Sequence, residues 1–322
     1  MKAAANKPLV IQDLPIPKPQ GRQVLVRVQA ASLCHSDLAT ITGALGPLPV
    51  IIGHEAVSVI QELGPDAGKY DLHVGDTIGS GLWQDSCLEC VDCKTAGPQF
   101  CKKMNLLGIT TAGYFAEYAL VDAATAVVVK RAGEDGPRSL PALAPVFCAG
   151  ITVWDALERS ELLGAKVIAL DVRNEQLIAA QNDGSADEII NTRSLSPEGL
   201  ARKVQEINGG LLVDKAIVTS GAPQAYQTAI GIVKPIGSIV AVGLPAAPVP
   251  LPVGAFAIGC LKLIGAKVPG QVGAKRCLDF TVRKDIRPRI NSRKFVLEDI
   301  NEMIDLMKAG KVDEGRMMIE FF

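Results

Sequence analysis

The hydrophobic pattern of this chain changes at about residue 150, and this change limits its fold more than any other feature. Before that point, short apolar runs at 24–30, 56–62 and 118–121 predict strands, and glycine and proline separate them at short intervals. After it, predicted strands alternate with predicted helices, starting from a buried apolar strand at 166–170. Such alternation is typical of βαβ units on a parallel sheet. We therefore expect a β-rich, barrel-like part followed by an α/β part.

The remaining predicted elements follow the same two patterns. Helices are expected at 174–182, 197–208, 222–233 and 297–310, and strands at 188–190, 214–219, 238–242, 261–266 and 316–320. The C-terminal segment, with the predicted helix at 297–310 and strand at 316–320, could pack with either part. A chain of 322 residues fits two domains of roughly 150 residues each.

Charge and hydropathy exclude several classes of function. With 33 basic and 34 acidic residues, the chain has no overall field for holding a nucleic-acid backbone or an anionic membrane. Residues 236–261 are uncharged and long enough to span a bilayer, but their prolines and glycines predict a strand, a loop and a short helix instead. Residues 1–8 lack the apolar core of a signal peptide, so we expect a cytoplasmic protein.

Four of the eight cysteines lie within fifteen residues, in the pattern Cys-x2-Cys-x2-Cys-x7-Cys formed by Cys87, Cys90, Cys93 and Cys101. Without a secretion signal, clustered cysteines favour metal binding over disulfides. Four thiolates can enclose a tetrahedral Zn²⁺ and leave no open position, which is typical of a structural site. Free thiols and an iron–sulfur cluster are the alternatives.

A second candidate metal site is scattered along the sequence, at Cys34, His54 and Cys148. One imidazole and two thiolates leave one coordination position for water or substrate, which is the arrangement of catalytic zinc. Each residue also has a simpler interpretation, because either cysteine could be a small buried apolar residue and the histidine could be structural. Spacing alone leaves both interpretations open.

Several motifs together resemble one family. They are Cys-His-Ser-Asp at 34–37, Gly-His-Glu-Ala at 53–56, the four-cysteine loop, and Phe-Cys-Ala-Gly-Ile-Thr at 147–152. Over essentially the whole chain they resemble the zinc-dependent medium-chain alcohol dehydrogenases, and the yeast-like branch matches best. The resemblance implies an α/β fold with a GroES-like β-barrel catalytic domain (1–150 and 270–322) and a Rossmann-type doubly wound cofactor domain (151–269). It also implies two zinc ions, NAD, a small-molecule alcohol or carbonyl substrate, and a homo-oligomer.

The resemblance also assigns roles to single residues. Cys34, His54 and Cys148 would hold a zinc ion that lowers the pKa of the bound alcohol, which then passes a hydride to NAD. Glu55 and Asp37 would orient ligands, and Ser36 would take the alcohol's proton. Ala39 stands where the family often has a relay histidine, so the proton would leave through water. The residues expected to contact the cofactor are His35, Thr152, Asp171, Val242, Val268 and Arg316. Trp83 would form a wall of the substrate pocket, or else be a core aromatic residue.

The cofactor domain departs from the family at one point. Asp171 ends the strand at 166–170 and is well placed to bind the ribose hydroxyls of NAD. A Gly-x-Gly-x-x-Gly turn should precede it by roughly 20 residues, but the chain contains no such motif. Roughly 25 to 30 residues, a central strand with its glycine turn and helix, are missing relative to the family. The cofactor domain is therefore expected to be reduced. The strand at 166–170 must then pair with the strand at 214–219, or the sheet splits.

Three explanations for this departure are open: a splice form or gene model that omits coding sequence, a lineage that gave up the cofactor, or an altered mode of cofactor binding. Three functions are also open. The chain is expected to be a zinc- and NAD-dependent alcohol dehydrogenase. The alternatives are a zinc catalyst without redox activity, lyase- or isomerase-like, and a pseudoenzyme with a binding role.

Overall fold

The computed structural model describes residues 7–46, 51–137, 139–312 and 315–321. Residues 1–6 of the N-terminal segment considered above lie outside this part. The chain divides into two compact units: the first comprises Met1–Ile151 and Val268–Phe322, and the second Thr152–Lys267. The boundaries expected from the sequence were at 150/151 and 269/270. Within the described residues, every helix is too short or too polar to cross a bilayer.

The strands, in chain order, are β1 (Gln23–Ser32), β2 (Ala56–Leu63), β3 (Thr77–Ser80), β4 (Trp83–Gln84), β5 (Asn105–Leu106), β6 (Tyr118–Asp122), β7 (Ala126–Lys130), β8 (Ile168–Asp171), β9 (Glu188–Asn191), β10 (Val213–Val218), β11 (Val233–Ala241), β12 (Lys262–Gly265) and β13 (Met318–Glu320). The α-helices are α1 (His35–Ile41), α2 (Val91–Thr95), α3 (Ala149–Arg159), α4 (Asn174–Asn182), α5 (Pro197–Ile207), α6 (Pro223–Ile232), α7 (Val253–Gly259), α8 (Gln271–Arg283) and α9 (Ile300–Lys308). Short 3-10 helices lie at Ala67–Tyr70, Pro98–Phe100, Ala123–Thr125, Pro141–Phe147 and Leu297–Asp299.

The first unit is built on an antiparallel sheet in the order β13-β1-β2-β3-β7, and β6 also pairs with β1. Along β1, Val24, Val26 and Val28 are fully buried, as expected when alternate side chains point to one face. The strand β13 pairs with the end of β1, opposite Ala30 and Ser32. The tail of the chain therefore returns to the first unit.

The candidate ligands of the scattered metal site lie next to the ends of these elements. Cys34 lies between the last residue of β1 and the first residue of α1, and His54 and Glu55 directly precede β2. The 3-10 helix Pro141–Phe147 leads to Cys148, and Phe147 is fully buried against Gly79 of β3. Because strand and helix ends are fixed by the sheet, the sheet determines where these side chains meet.

The second unit contains two separate parallel sheets among its described residues. One is β8 with β9 and the other is β10-β11-β12. The strand at 166–170 therefore does not pair with the strand at 214–219, and the sheet splits. Ile168 and Leu170 of β8 and Val213 of β10 still pack on one apolar cluster, which includes Leu200 and Val204 of α5. All four residues of β8 stay partly exposed, although they were predicted to be buried.

Most predicted elements of the second unit are confirmed to within a few residues. The helix at 174–182 has the predicted bounds, and the region 236–261 forms strand, loop and short helix. The strand β11 begins at Val233, five residues earlier than predicted, because it follows α6 without a loop. The helices α1, α2, α3 and α8 were not predicted.

Candidate metal centres

The four clustered cysteines converge in the first unit. The loop folds around the short helix α2, and the four sulfur atoms lie within 4.8 Å of one another. The Sγ atoms of Cys87 and Cys93 are 3.9 Å apart, and those of Cys87 and Cys101 are 3.6 Å apart. A disulfide would require about 2.05 Å, so these distances belong to free thiols.

The sulfur separations fit a single tetrahedral ion. With Zn–S bonds near 2.3 Å, tetrahedral geometry places the sulfurs about 3.8 Å apart, between the two observed distances. An iron–sulfur cluster places several iron and sulfide atoms between its cysteines and so needs a wider separation. The donor set and its spacing therefore fit zinc.

Backbone hydrogen-bond donors stabilise this loop. The N–H groups of Cys87 and Cys93 donate to the sulfurs of Cys101 and Cys90, over 3.4 and 3.5 Å. Hydrogen bonds from the backbone of Glu89 and Cys90 lower the pKa of the Cys87 thiol to about 6, which favours the thiolate that a metal requires.

The scattered residues also converge, at a second centre in the first unit. Ligand atoms of Cys34, His54, Glu55 and Cys148 lie within 4.8 Å of one another, and all four residues are buried. The structure thus brings together the three residues expected as ligands and one residue expected to orient them.

His54 has the geometry of a metal-binding histidine. Its Nδ1 is 2.9 Å from Oδ1 of Asp37, while Oδ2 of the same carboxylate accepts the Cys34 N–H over 2.8 Å. Its Nε2 is buried and has no hydrogen-bond partner among the described residues. A buried nitrogen without a partner is costly, and a carboxylate on the other ring nitrogen is the usual support of a metal-ligating histidine. Together with two thiols, this arrangement fits zinc.

Glu55 is fully buried beside these ligands, and both of its oxygens are bonded. Arg316 donates from Nη2 to Oε1 over 2.7 Å, and the Ser32 hydroxyl donates to Oε2. Burial raises the pKa of Glu55 to about 8, and the neighbouring Cys34 thiolate adds to this shift. Ser32 was not predicted as a site residue. A serine at the last position of β1, two positions before Cys34, is the signal that could have found it.

The two candidate thiol ligands, Cys34 and Cys148, interact directly. A hydrogen bond from the Cys148 thiol is the main reason that the pKa of Cys34 lies well below its ordinary value. His54 and Arg316 shift it in the same direction. This shift favours the thiolate form of Cys34, which is the form that binds a cation.

Comparisons with known proteins agree with this geometry. Residues 20–131 match the family model described as the alcohol dehydrogenase GroES-like domain, and residues 156–266 match the one described as zinc-binding dehydrogenase. An alcohol dehydrogenase of Geobacillus stearothermophilus is 30% identical, and the alignment covers 99% of each chain.

The chain belongs to the zinc-type medium-chain alcohol dehydrogenase family.

Two further comparisons support this assignment of family and fold. An alcohol dehydrogenase of Rhizobium meliloti is 29% identical, with 98% of this chain and 96% of the relative covered. The crystal structure of an alcohol dehydrogenase from Aeropyrum pernix has the same fold, with a TM-score of 0.86, 24% identity and complete coverage of both chains. The Geobacillus alignment extends over 351 positions, against 322 residues in this chain, so at least 29 positions are gaps here.

In this family member, the other predicted site residues lie in both units. His35 is exposed and Ser36 is half-buried in the first turn of α1, Val268 is buried in the first unit, and Arg316 contacts Glu55. Trp83, on β4, is 3% exposed, and its Nε1 has no hydrogen-bond partner among the described residues.

In the second unit, Thr152 lies on α3, and Val242 follows β11, where its N–H donates to the Val218 carbonyl over 3.0 Å. Asp171 ends β8, and its Oδ1 accepts the N–H of Arg173 over 2.8 Å. The carboxylate therefore lies at the carboxyl end of a parallel strand, as predicted.

Proposed function

We propose that this chain is a zinc-dependent oxidoreductase of the alcohol dehydrogenase type, which interconverts a small-molecule alcohol and its aldehyde or ketone. The observation that carries the proposal is the buried centre of Cys34, His54 and Cys148, in which His54 Nε2 has no partner among the described residues. Family membership supports the same reaction class, and no comparison supports a lyase or a pseudoenzyme.

We assign the roles at this centre from the contacts described above and, for Ser36 and Trp83, from the family resemblance. Cys34, His54 and Cys148 would hold a zinc ion, which supplies Lewis acidity to the substrate oxygen when bound. Asp37 fixes the tautomer of His54 by accepting from Nδ1. Ser36 would accept the proton of the alcohol, and water would carry the proton onward past Ala39. Trp83 would form a wall of the substrate pocket.

The four-cysteine loop would hold a second, structural zinc ion. Its four thiols complete a tetrahedral shell, so no position remains for a substrate. A zinc ion bound by the four thiolates would stabilise the loop, because so short a segment buries too few apolar side chains to stabilise itself.

The dinucleotide site is where this chain departs from its relatives. Asp171 is available for the ribose of NAD, and its negative charge would repel the 2′-phosphate of NADP. The helix N-terminus that binds pyrophosphate normally follows the first strand of the domain. Among the described residues no strand pairs with β8 on the side away from β9, and the gaps against the Geobacillus relative are consistent with a missing β-α unit. The residues present therefore do not fit the pyrophosphate, and we propose that NAD binds weakly.

The motifs at 34–37, 53–56 and 147–152, together with the four-cysteine loop, favour the yeast-like branch of the family. The same resemblance implies a dimer or tetramer, and we propose a homo-oligomer here.

Zinc analysis tests the proposed reaction centre. Replacing Cys148 by Ser should reduce the zinc content from two ions to one per chain and abolish alcohol oxidation, because one thiolate ligand is lost. The matched control is Cys260→Ser, since Cys260 is exposed and belongs to neither cluster. Retention of both ions in Cys148→Ser would contradict the ligand assignment.

Titration with NADH tests the cofactor proposal separately. If the missing turn removes two hydrogen bonds to the charged pyrophosphate, at about 1.5–3 kcal/mol each, binding should be about 10²- to 10⁴-fold weaker than in the Geobacillus relative. Quenching of Trp83 and Trp154 fluorescence in zinc-loaded protein would report the affinity. Equal affinity in the two proteins would contradict the inference of a damaged cofactor site and leave the zinc assignment intact.

A further inference from the structure

We propose that Ser32 is a positioning residue that holds the Glu55 carboxylate away from the metal, so that the fourth coordination position stays open for substrate. This inference rests on the proposed function of the Cys34, His54 and Cys148 centre. It assigns a role to a residue outside the expected ligand set.

Ser32 is bonded to Glu55 through both its backbone and its side chain. It is fully buried at the last position of β1, where its N–H donates to the Glu55 carbonyl over 3.0 Å and its hydroxyl donates to Oε2. The serine is therefore fixed by the sheet, and its hydroxyl cannot reorient far from the carboxylate.

Glu55 is close enough to the ligands to become one itself. One of its carboxylate oxygens lies within 4.8 Å of both cysteine sulfurs and of a His54 ring nitrogen. Carboxylate oxygens bind zinc at about 2.0–2.2 Å, so a small rotation of the side chain would complete a closed four-ligand shell. Such a shell would exclude the substrate.

Two hydrogen bonds oppose that rotation, and they differ in stiffness. Arg316 reaches Oε1 through a long flexible side chain that could follow the carboxylate. Ser32 has a single side-chain torsion and sits on a strand, so it fixes the position of Oε2. Held in this position, the Glu55 carboxylate can balance the positive charges of the metal ion and of Arg316 without binding the metal itself.

Cobalt-substituted protein gives a test that does not depend on turnover. Imidazole added to the Co²⁺ form should change the visible d–d spectrum through the open position only, because the four-cysteine site is closed. In Ser32→Ala, we expect Glu55 to compete for that position and to weaken imidazole binding by about 10- to 100-fold, the factor that one lost hydrogen bond to a charged group allows. The spectrum before imidazole addition should also shift.

Two control variants distinguish loss of the hydrogen bond to Glu55 from the general effect of removing a buried hydroxyl. Ser58→Ala removes another buried hydroxyl from the same sheet, one that has no partner among the described residues, and should bind imidazole like the unmodified protein. Ser32→Thr keeps the hydroxyl and should restore most of the affinity. Equal imidazole affinity and equal spectra in Ser32→Ala and Ser58→Ala would overturn the proposal.

A variant of Glu55 keeps the inference testable if Ser32→Ala does not fold. In the unmodified protein Glu55 is held off the metal, so Glu55→Gln should leave the cobalt d–d spectrum unchanged. A changed spectrum would mean that Glu55 already coordinates, which would overturn the role of Ser32. Failure of the unmodified protein to take up a second cobalt ion would instead refute the proposed zinc centre itself.

Discussion

Replacement of Gly79 by Ala should destabilise the first unit and weaken metal binding at Cys148. Gly79 lies in β3, between β2 and β7, and the ring of Phe147 packs directly on it. A Cβ atom at this position would lie 2.0 Å from Cε2 of Phe147. Ordinary contact begins near 3.4 Å, so the ring would have to move by about 1.4 Å. Phe147 is fully buried and directly precedes Cys148, so this movement would also displace the ligand.

The expected magnitude follows from the density of protein interiors. Overpacking a filled core typically costs about 1–3 kcal/mol. For a domain of roughly 200 residues this corresponds to a melting temperature lower by roughly 2–12 °C. Thermal unfolding followed by circular dichroism would measure the shift, and competition with a chelator would measure the loss of zinc affinity.

Two further variants identify the cause of the effect. Gly68→Ala adds the same methyl group where it meets no atom within 4 Å, so its melting temperature should stay close to that of the unmodified protein. Phe147→Leu should partly rescue Gly79→Ala, because a smaller side chain removes the clash and makes the two changes non-additive. Unchanged unfolding of Gly79→Ala, or no rescue by Phe147→Leu, would refute the packing argument.

Two further predictions concern the metal centres. Cys93→Ser should remove the proposed structural zinc and lower the melting temperature by several degrees more than the control Cys260→Ser does, and equal melting of the two variants would contradict a structural metal. Asp37→Asn removes the carboxylate that binds His54 Nδ1, so zinc affinity at the proposed catalytic centre should fall about 10- to 100-fold in chelator competition. An unchanged affinity would exclude a supporting role for Asp37.

Features that depend on neighbours in sequence could be predicted without the structure. The four cysteines lie within fifteen residues, so their convergence needs little more than one loop. The helix α4 and the capped start of α5 at Ser196 follow from local periodicity and local hydrogen bonding. The absence of a glycine turn before Asp171 is likewise a property of the sequence, and it predicted either a new strand pairing or a split sheet.

The structure decided between these two outcomes, because strand pairing depends on contacts distant in sequence. β8 and β10 pack on one apolar cluster with α5, yet they do not pair with each other in the described part of the chain. Partial exposure of β8 reverses the prediction of a buried strand, because an apolar run shows what a strand could bury and not what covers it.

The candidate centre of Cys34, His54 and Cys148 likewise depends partly on the sequence and partly on the fold. Sequence supplied Cys34, His54 and Cys148 as candidates, but their spacing along the chain left simpler interpretations open. Only the sheet brings the end of β1, the start of β2 and the residue after Phe147 to one point, since each is positioned by partners far away in sequence. The contact of Ser32 with Glu55, 23 residues away, likewise depends on the pairing of β1 with β2. The sequence alone thus determined which chemical groups are available, while tertiary packing decided which of them meet.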